Sequence, residues 1–292
     1  APLTLYYAVN ACNFKAAEGT CQEHRRIYGV RATCLRQPEC TANCVFCRWG
    51  SEPSPCPADV VRALPVARSA CPSRQAGQRW SRAGAQGCLE RVGVQPSPKQ
   101  QLRGEILDVM CHHIRLAQER NASASGVAHR PGGANVLVFS LGHDSPMWMQ
   151  LNPHGVTRFV ENSKPWIEMQ SPKVQADTIF GDYATHWLEA YGIRCNPERL
   201  GYFLRAHLSH EDLNRCWDVI VIDAPDGWGA GRMGAIYAAA QLAGEHTIIF
   251  LDDCERMMEG NFAMWYLSEG RDMHAFDNGH YGLTCMIYPV ER

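Results

Sequence analysis

The chain has 292 residues, 46% hydrophobic and 20% charged, with a formal net charge of −2. That composition supplies a sizeable core and excludes a disordered chain as the default, and the slight acidity argues against a general nucleic-acid binder. No run of about 18 apolar residues occurs and no basic-then-apolar leader precedes Ala1, so the expectation is a mature or truncated ectodomain, tied to a membrane only through a segment outside this chain.

Charge and cysteine are unevenly spread. Residues 1–103 carry 14 Lys+Arg against 6 Asp+Glu, the remainder 14 against 24, and nine of the 14 cysteines lie between Cys12 and Cys88. This front is rich in Pro, Gly, Ser and Arg with weak apolar periodicity, a composition that needs staples. Cys40, Cys44 and Cys47 are spaced closely enough for zinc, but the other spacings are irregular and no pair of CxxC knuckles appears, which favours disulfides and an oxidising compartment. Nine is odd, so one front cysteine is free or pairs with Cys111, Cys195, Cys216, Cys254 or Cys285. Asn121-Ala122-Ser123 is a glycosylation sequon. The arginines are scattered and not interleaved with aromatics, as on a solvated surface. Residues 1–100 are therefore read as a Cys-rich region and 101–292 as the main domain.

From residue 101 the pattern changes. Residues 101–117 have helical apolar spacing, and 121–134 read as a loop. Asn135–Ser140 is a strand-type run, ending at Leu141-Gly142-His143-Asp144-Ser145; Pro146 then opens a helix. Further strands are expected at Val156–Glu161, Asp177–Phe180, Trp217–Asp223 and Thr247–Leu251. Helices are expected near 183–191, 232–243 and 261–268, and closing strands at Met273–Phe276 and Leu283–Tyr288 around an Asp277-Asn278-Gly279 turn. Such alternation implies a mostly parallel doubly wound sheet with its ligand at the carboxyl ends of the strands. Gly142, His143, Asp144, Glu161, Asp182, Asp223, Asp252 and Asp253 all fall at those ends.

A single Gly142 is not GxGxxG, so a pyrophosphate cradle is weakly supported. Glu161, 19 residues on, is placed to accept hydrogen bonds from both ribose hydroxyls. One glycine plus such a carboxylate fits S-adenosylmethionine better than NAD. Asp223, Asp252 and Asp253 converge at a cost unless a proton or cation pairs them. Their oxygens suit magnesium or manganese; one of them, Asp223 before Asp253, is otherwise a general base, with His143 a weaker candidate. The structural alternative has Asp253 paired with Arg256 or Arg232.

The segments Val138–Trp148, Leu151-Asn152, Phe159–Asn162, Asp218–Pro225, Gly231-Arg232-Met233 and Asp253-x-x-Arg256 together resemble the glucuronoxylan O-methyltransferase and irregular-xylem family over about residues 100–290. The resemblance implies a Rossmann-like class I methyltransferase sheet, mostly parallel with an antiparallel closing strand, working in the Golgi lumen. It implies methyl transfer from S-adenosylmethionine to a sugar hydroxyl, by default the 4-hydroxyl of glucuronic acid, stimulated by a divalent cation such as magnesium, manganese or cobalt. By motif, Gly142, His143, Asp144 and Ser145 would shape the donor loop, Glu161 hold the ribose, Asp223 face the reacting centre and Arg232 help bind substrate or support the site. Asp182 joins the donor set as a strand-end residue. Asp252-Asp253 stands where His-Asp is expected, and the loop from Asp226 to Ala230 is short, which puts glucuronic acid in doubt and makes a neutral hexose such as mannose or galactose a live acceptor. In that loop Asp226 and Trp228 are acceptor-contact candidates. The rival readings are a non-catalytic scaffold in polysaccharide synthesis, a nucleotide-dependent oxidoreductase, and a Cys-rich glycan-binding module.

Overall fold

The computed structural model describes residues 82–99, 102, 104–124, 132–225, 229–278 and 282–289. Most of the Cys-rich region, and with it the closely spaced Cys40, Cys44 and Cys47, lies outside the described residues.

Seven strands form one sheet: β1 Asn135–Phe139, β2 Val156–Glu161, β3 Thr178–Phe180, β4 Trp217–Ile222, β5 Ala243–Asp252, β6 Arg271–Asp277 and β7 Leu283–Pro289, in the order β3-β2-β1-β4-β5-β7-β6. β1 to β5 are mutually parallel, and β7 runs antiparallel to both β5 and β6. This is the class I methyltransferase arrangement that the resemblance implied. β4 is buried along its whole length, the pattern of a central parallel strand covered on both faces.

Side-chain alternation sorts the strands into two cores. Leu137, Phe139, Ile220, Ile222, Ile249 and Leu251 face the helices α11 (Met233–Leu242) and α12 (Met257–Tyr266). Val136, Val138, Val219, Val221 and Phe250 face α3 (Glu105–Ala124) and α4 (Ser145–Leu151). α3 turns Ile106, Leu107, Met110, Ile114 and Ala117 inward at helical spacing. It runs on to Ala124, into the segment 121–134 expected as a loop; residues 125–131 of that segment lie outside the described residues.

Residues 82–99 join this second core. α1 (Arg82–Ala85) and α2 (Cys88–Val92) contribute Ala85, Cys88 and Leu89, and Cys88 is disulfide-bonded to Cys111 of α3. Asp108 of α3 accepts hydrogen bonds from Gly87 N (2.7 Å) and Leu89 N (3.0 Å), satisfying amides at the start of α2. A second bridge, Cys254–Cys285, ties the end of β5 to β7; Cys195 and Cys216 are also disulfide-bonded. All six described cysteines are thus oxidised, and the front and back halves are cross-linked as the odd cysteine count allowed.

Several sequence expectations are corrected. The helix expected at 183–191 is a turn followed by a 3-10 helix, Trp187–Glu189, and a single helical turn α7, Ala190–Ile193. Ala184 sits at φ +51°, which no helix accommodates. Short helices were missed: α5 Lys164–Glu168, α6 Pro172–Ala176, α8 Pro197–Leu200, α9 Tyr202–His207 and α10 His210–Asn214. The Asn121 sequon lies in α3, where the Asn121 amide donates to Gly133 O (2.8 Å) and Asp218 Oδ2 (3.1 Å). The nitrogen a glycan needs is committed to the fold. Among the described residues no helix is long and apolar enough to cross a membrane.

Candidate active site

The sheet order reverses direction between β1 and β4, and the crevice above that point is where open α/β sheets bind ligands. Registers Phe139↔Val160, Phe139↔Ile222 and Ile222↔Leu251 bring the strand ends level, so the polar residues that follow them meet.

At the end of β1, Gly142 N donates to Ser145 Oγ (3.0 Å) and Ser145 N to Gly142 O (3.3 Å), closing a tight turn. A Cβ at position 142 would come within 2.7 Å of Asp144 Oδ1, so a larger residue there requires the Asp144 carboxyl to shift. Asp144 Oδ2 accepts the Trp148 indole N–H (3.0 Å), and burial raises its carboxyl above the ordinary range. His143 is exposed and packs edge-on against Trp166, ring centroids 5.7 Å apart.

Glu161 ends β2 and is 4% exposed. Its carboxylate accepts Leu141 N (2.9 Å) on one oxygen, and Asn162 N (2.9 Å) and Ser163 N (2.8 Å) on the other. Burial raises its pKa, and the three amides oppose this. Glu161 therefore clamps the β1 and β2 loops together, and four lone-pair sites against three donors leave capacity for a ligand hydroxyl. Asp182, after β3, is exposed; its Oδ1 caps Ala184 N (3.1 Å), and its own N–H donates to His207 Nε2 (3.2 Å).

The carboxylates after β4 and β5 come together: one oxygen each of Asp223, Asp252 and Asp253 lie within 4.8 Å of one another. Asp223 N is anchored on Phe139 O (3.0 Å), and an Ala224-Pro225 cis bond follows. Asp252 Oδ1 accepts Thr284 Oγ1 (2.6 Å) and Asn278 Nδ2 (3.2 Å). Asp253 adopts φ +55°, a left-handed turn that Asp tolerates better than most residues, as the chain leaves β5.

Arg232, just before α11, is 5% exposed and lies among them. Its Nη2 donates to Asp223 Oδ1 (3.1 Å) and approaches Asp253 Oδ2 (2.8 Å), while Nη1 donates to Asp252 O (2.6 Å). Arg256 Nη1 is 2.9 Å from Asp253 Oδ2. The structural pairing of Asp253 with both arginines is thus what forms. Arg232 thus supports the site, one of the two roles that the resemblance implied for it. Asp226 and Trp228 lie outside the described residues.

Burial and the neighbouring Asp252 carboxylate push the Asp223 carboxyl well above its ordinary value, against the opposing pull of Arg232. Asp253, Glu255 and Glu259 are raised too, by burial first. Asp144 adds to the rise at Asp223, and Asp252 to the rise at Asp144, which links the β1 end electrostatically to those of β4 and β5. Two arginines against this many carboxyls leave a site that favours a proton or a cationic ligand.

Sequence reasoning missed Asn278, Thr284 and Glu259. Glu259, on α12, is 1% exposed, and no polar pattern marks it. Asn278 and Thr284 lie 26 and 32 residues from Asp252 and meet it only because β7 returns beside β5.

The family model for IRX15/IRX15L/GXM matches residues 119–192 and 205–280, just over half of the chain. Arabinogalactan O-methyltransferase 2 of Arabidopsis thaliana is 35% identical over 164 residues, 46% of this chain and 55% of that protein. Glucuronoxylan 4-O-methyltransferase 2 of the same organism is 30% identical over 211 residues, 60% of this chain and 71% of that protein. The chain spans a little over half the length of the first of these relatives. Among solved structures, a putative caffeoyl-CoA O-methyltransferase from Staphylococcus aureus overlays with a TM-score of 0.39 at 12% identity, covering 72% of this chain and 93% of that one, too distant a likeness to bear on chemistry.

Proposed function

The chain belongs to the IRX15/IRX15L/GXM family, and from that premise we propose that it transfers a methyl group from S-adenosylmethionine to a hydroxyl of a glycan sugar. The observation that carries this reading is Asp223: a half-buried carboxyl at the end of the central strand, held by Arg232, facing Asp252, one strand from the Gly142 turn and two from Glu161. In this reading the donor ribose lies on Glu161 and the sulfonium points toward Asp223.

The sugar oxygen attacks the methyl carbon in line. The O–C bond forms as the S–C bond breaks, the sulfonium becomes a neutral thioether, and the hydroxyl proton passes to the Asp223 carboxylate. Alignment supplies most of the rate, with the oxygen held about 3–3.5 Å from the methyl carbon. Asp223 supplies the proton acceptor that a sugar hydroxyl needs at neutral pH, and its raised pKa brings that acceptor closer to the working range. Arg232 holds the Asp223 oxygen in place and offsets the charge of Asp253.

The donor set also fits a divalent cation. Asp223, Asp252 and Asp253 offer hard oxygens at close range, and Arg232 takes only one oxygen from each of the first and last. These three residues would hold magnesium, manganese or cobalt, and such an ion would acidify a bound hydroxyl.

The acceptor is the finer question. With Arg232 ion-paired to Asp223 and Asp253 and a surplus of carboxyls around it, the charge balance favours a neutral hexose such as mannose or galactose over the 4-hydroxyl of glucuronic acid, the family default. The disulfides Cys88–Cys111 and Cys254–Cys285 support a secretory setting, and we place the protein in the Golgi lumen.

The test is calorimetric titration of S-adenosylmethionine with and without manganese, followed by methyl transfer to hexose and glucuronic acid acceptors. Micromolar donor binding and a methylated sugar establish the reading. Folded protein that binds no donor under either condition overturns it in favour of a non-catalytic scaffold.

A further inference from the structure

Three of the six large hydrophobic side chains exposed among the described residues, Leu188 (65%), Tyr191 (37%) and Met264 (44%), gather on one ridge beside the site. Tyr191 lies one turn beyond Leu188. Its ring meets Trp265 edge-on at 6.2 Å and its hydroxyl oxygen accepts Asn261 Nδ2 (3.0 Å). Asn261, Met264 and Trp265 share one face of α12 at i, i+3, i+4 spacing. At the other end His186 stacks on Trp187, centroids 6.3 Å apart and planes at 28°, with His186 Nδ1 accepting Leu188 N (3.3 Å).

Both segments that carry the ridge connect to the site. Thr185 Oγ1 donates to Ala230 O (2.8 Å) and Trp187 N to Gly229 O (3.2 Å), two and three residues before Arg232. α12 begins immediately after Arg256, the partner of Asp253. Rigid rings held by backbone hydrogen bonds, with polar edges at His186, Asn261 and the Tyr191 hydroxyl, alternate apolar faces with hydrogen-bonding groups. A pyranose chain presents the complementary surface, C–H faces rimmed by hydroxyls. A protein partner asks instead for a continuous apolar centre from which polar groups are depleted.

We propose that this ridge is the docking track for the acceptor polysaccharide, holding sugars that neighbour the one presented to Asp223. The inference rests on the proposed sugar methylation and deepens it by assigning the sugars on either side of the reacting one to named residues outside the carboxylate cluster.

The experiment compares wild type with the exposed double variant Leu188→Ser/Met264→Ser and with Tyr191→Ala, all checked for unchanged thermal unfolding. The probes are glucuronoxylan, arabinogalactan and the methyl glycosides of their constituent sugars. Binding of at least one polymer by affinity electrophoresis should weaken by about tenfold or more in the variants. Titration of S-adenosylmethionine and any turnover of the small glycosides should stay unchanged. Polymer binding that is unaltered in both variants, or absent from wild type, overturns the track. So does equal loss on polymer and small glycoside, or a dimer that only the variants dissociate. A failed donor titration sinks the methyl-transfer reading alone, because polymer binding is read without turnover.

Discussion

Replacing Asp223 with Asn separates chemistry from stability. The folded carboxyl is raised above its unfolded value, so the native state binds a proton where the unfolded chain has released it. Its contribution is therefore least costly at low pH and becomes a penalty as pH rises from the ordinary carboxylate range through the raised value. Asp223→Asn should abolish turnover, leave donor binding measurable though several-fold weaker for want of the carboxylate charge, and raise the melting temperature near pH 8, with the gain shrinking toward pH 4. Each ~1 kcal/mol is worth about 2–4 °C in a domain of this size. In the wild type, turnover should climb with pH through the same raised value; a flat profile with an active Asn variant removes Asp223 as the base. Glu161 behaves differently because its oxygens hold three backbone amides. Glu161→Ala should lose about 2 kcal/mol or more of stability as well as donor affinity. Glu161→Gln keeps an acceptor oxygen and should melt closer to wild type while still binding donor about tenfold more weakly, measured by titration and thermal unfolding. Undiminished donor affinity in the Gln variant sinks the ribose assignment.

Elements far from the crevice hold its geometry. Asn152, buried after α4, accepts Ala134 N (3.0 Å) and donates to Ala134 O (2.9 Å), Val156 O (3.2 Å) and Thr157 Oγ1 (3.1 Å), stitching the starts of β1 and β2. Asn152→Ala strands several buried groups, and denaturant titration should show a loss of about 2–4 kcal/mol. Cys254 follows Asp253 directly, so its bridge to Cys285, 31 residues on, fixes the turn that aims Asp253 at Arg232. The Cys254→Ser/Cys285→Ser pair should lose about 3–4 kcal/mol on a chain-entropy account and should lower turnover more than donor affinity. Unchanged kinetics would make the bridge purely structural. β1 and β4 were legible because buried parallel strands read as mostly apolar runs of the right length. The short helices between β2 and β4 were not, since four to six residues carry no period. The 183–191 segment misled because its apolar residues, of which Tyr183 and Ala190 are buried and Leu188 and Tyr191 lie on the exposed ridge, imitate a core-facing helix.

Across the molecule, the position of the site followed from topology: parallel strands put Gly142, Glu161, Asp223 and Asp252-Asp253 at one edge however they are spaced in sequence. The occupation of that edge did not. Whether three carboxylates await a metal or already hold an arginine depends on where Arg232 points, and nothing in the Gly-Arg-Met spacing fixes that direction. The electrostatic consequence belongs to the whole site. The acidic excess of residues 104–292 is concentrated here into carboxyls that burial has made reluctant to ionise. A sulfonium donor brings a positive charge and favours their ionisation; the thioether product does not. Donor binding should therefore release protons, and S-adenosylmethionine should outbind S-adenosylhomocysteine by a margin that widens as pH rises and the carboxyls ionise. At a few ångströms and an effective dielectric constant of about 20, one such charge pair is worth roughly 3–4 kcal/mol before screening by salt and Arg232, so a several-fold change is the expected residue. Titrating both ligands from pH 5.5 to 8.5 measures it. A ratio that ignores pH would mean that the sulfonium lies away from Asp223, and that the acidic cluster serves the acceptor or a metal alone.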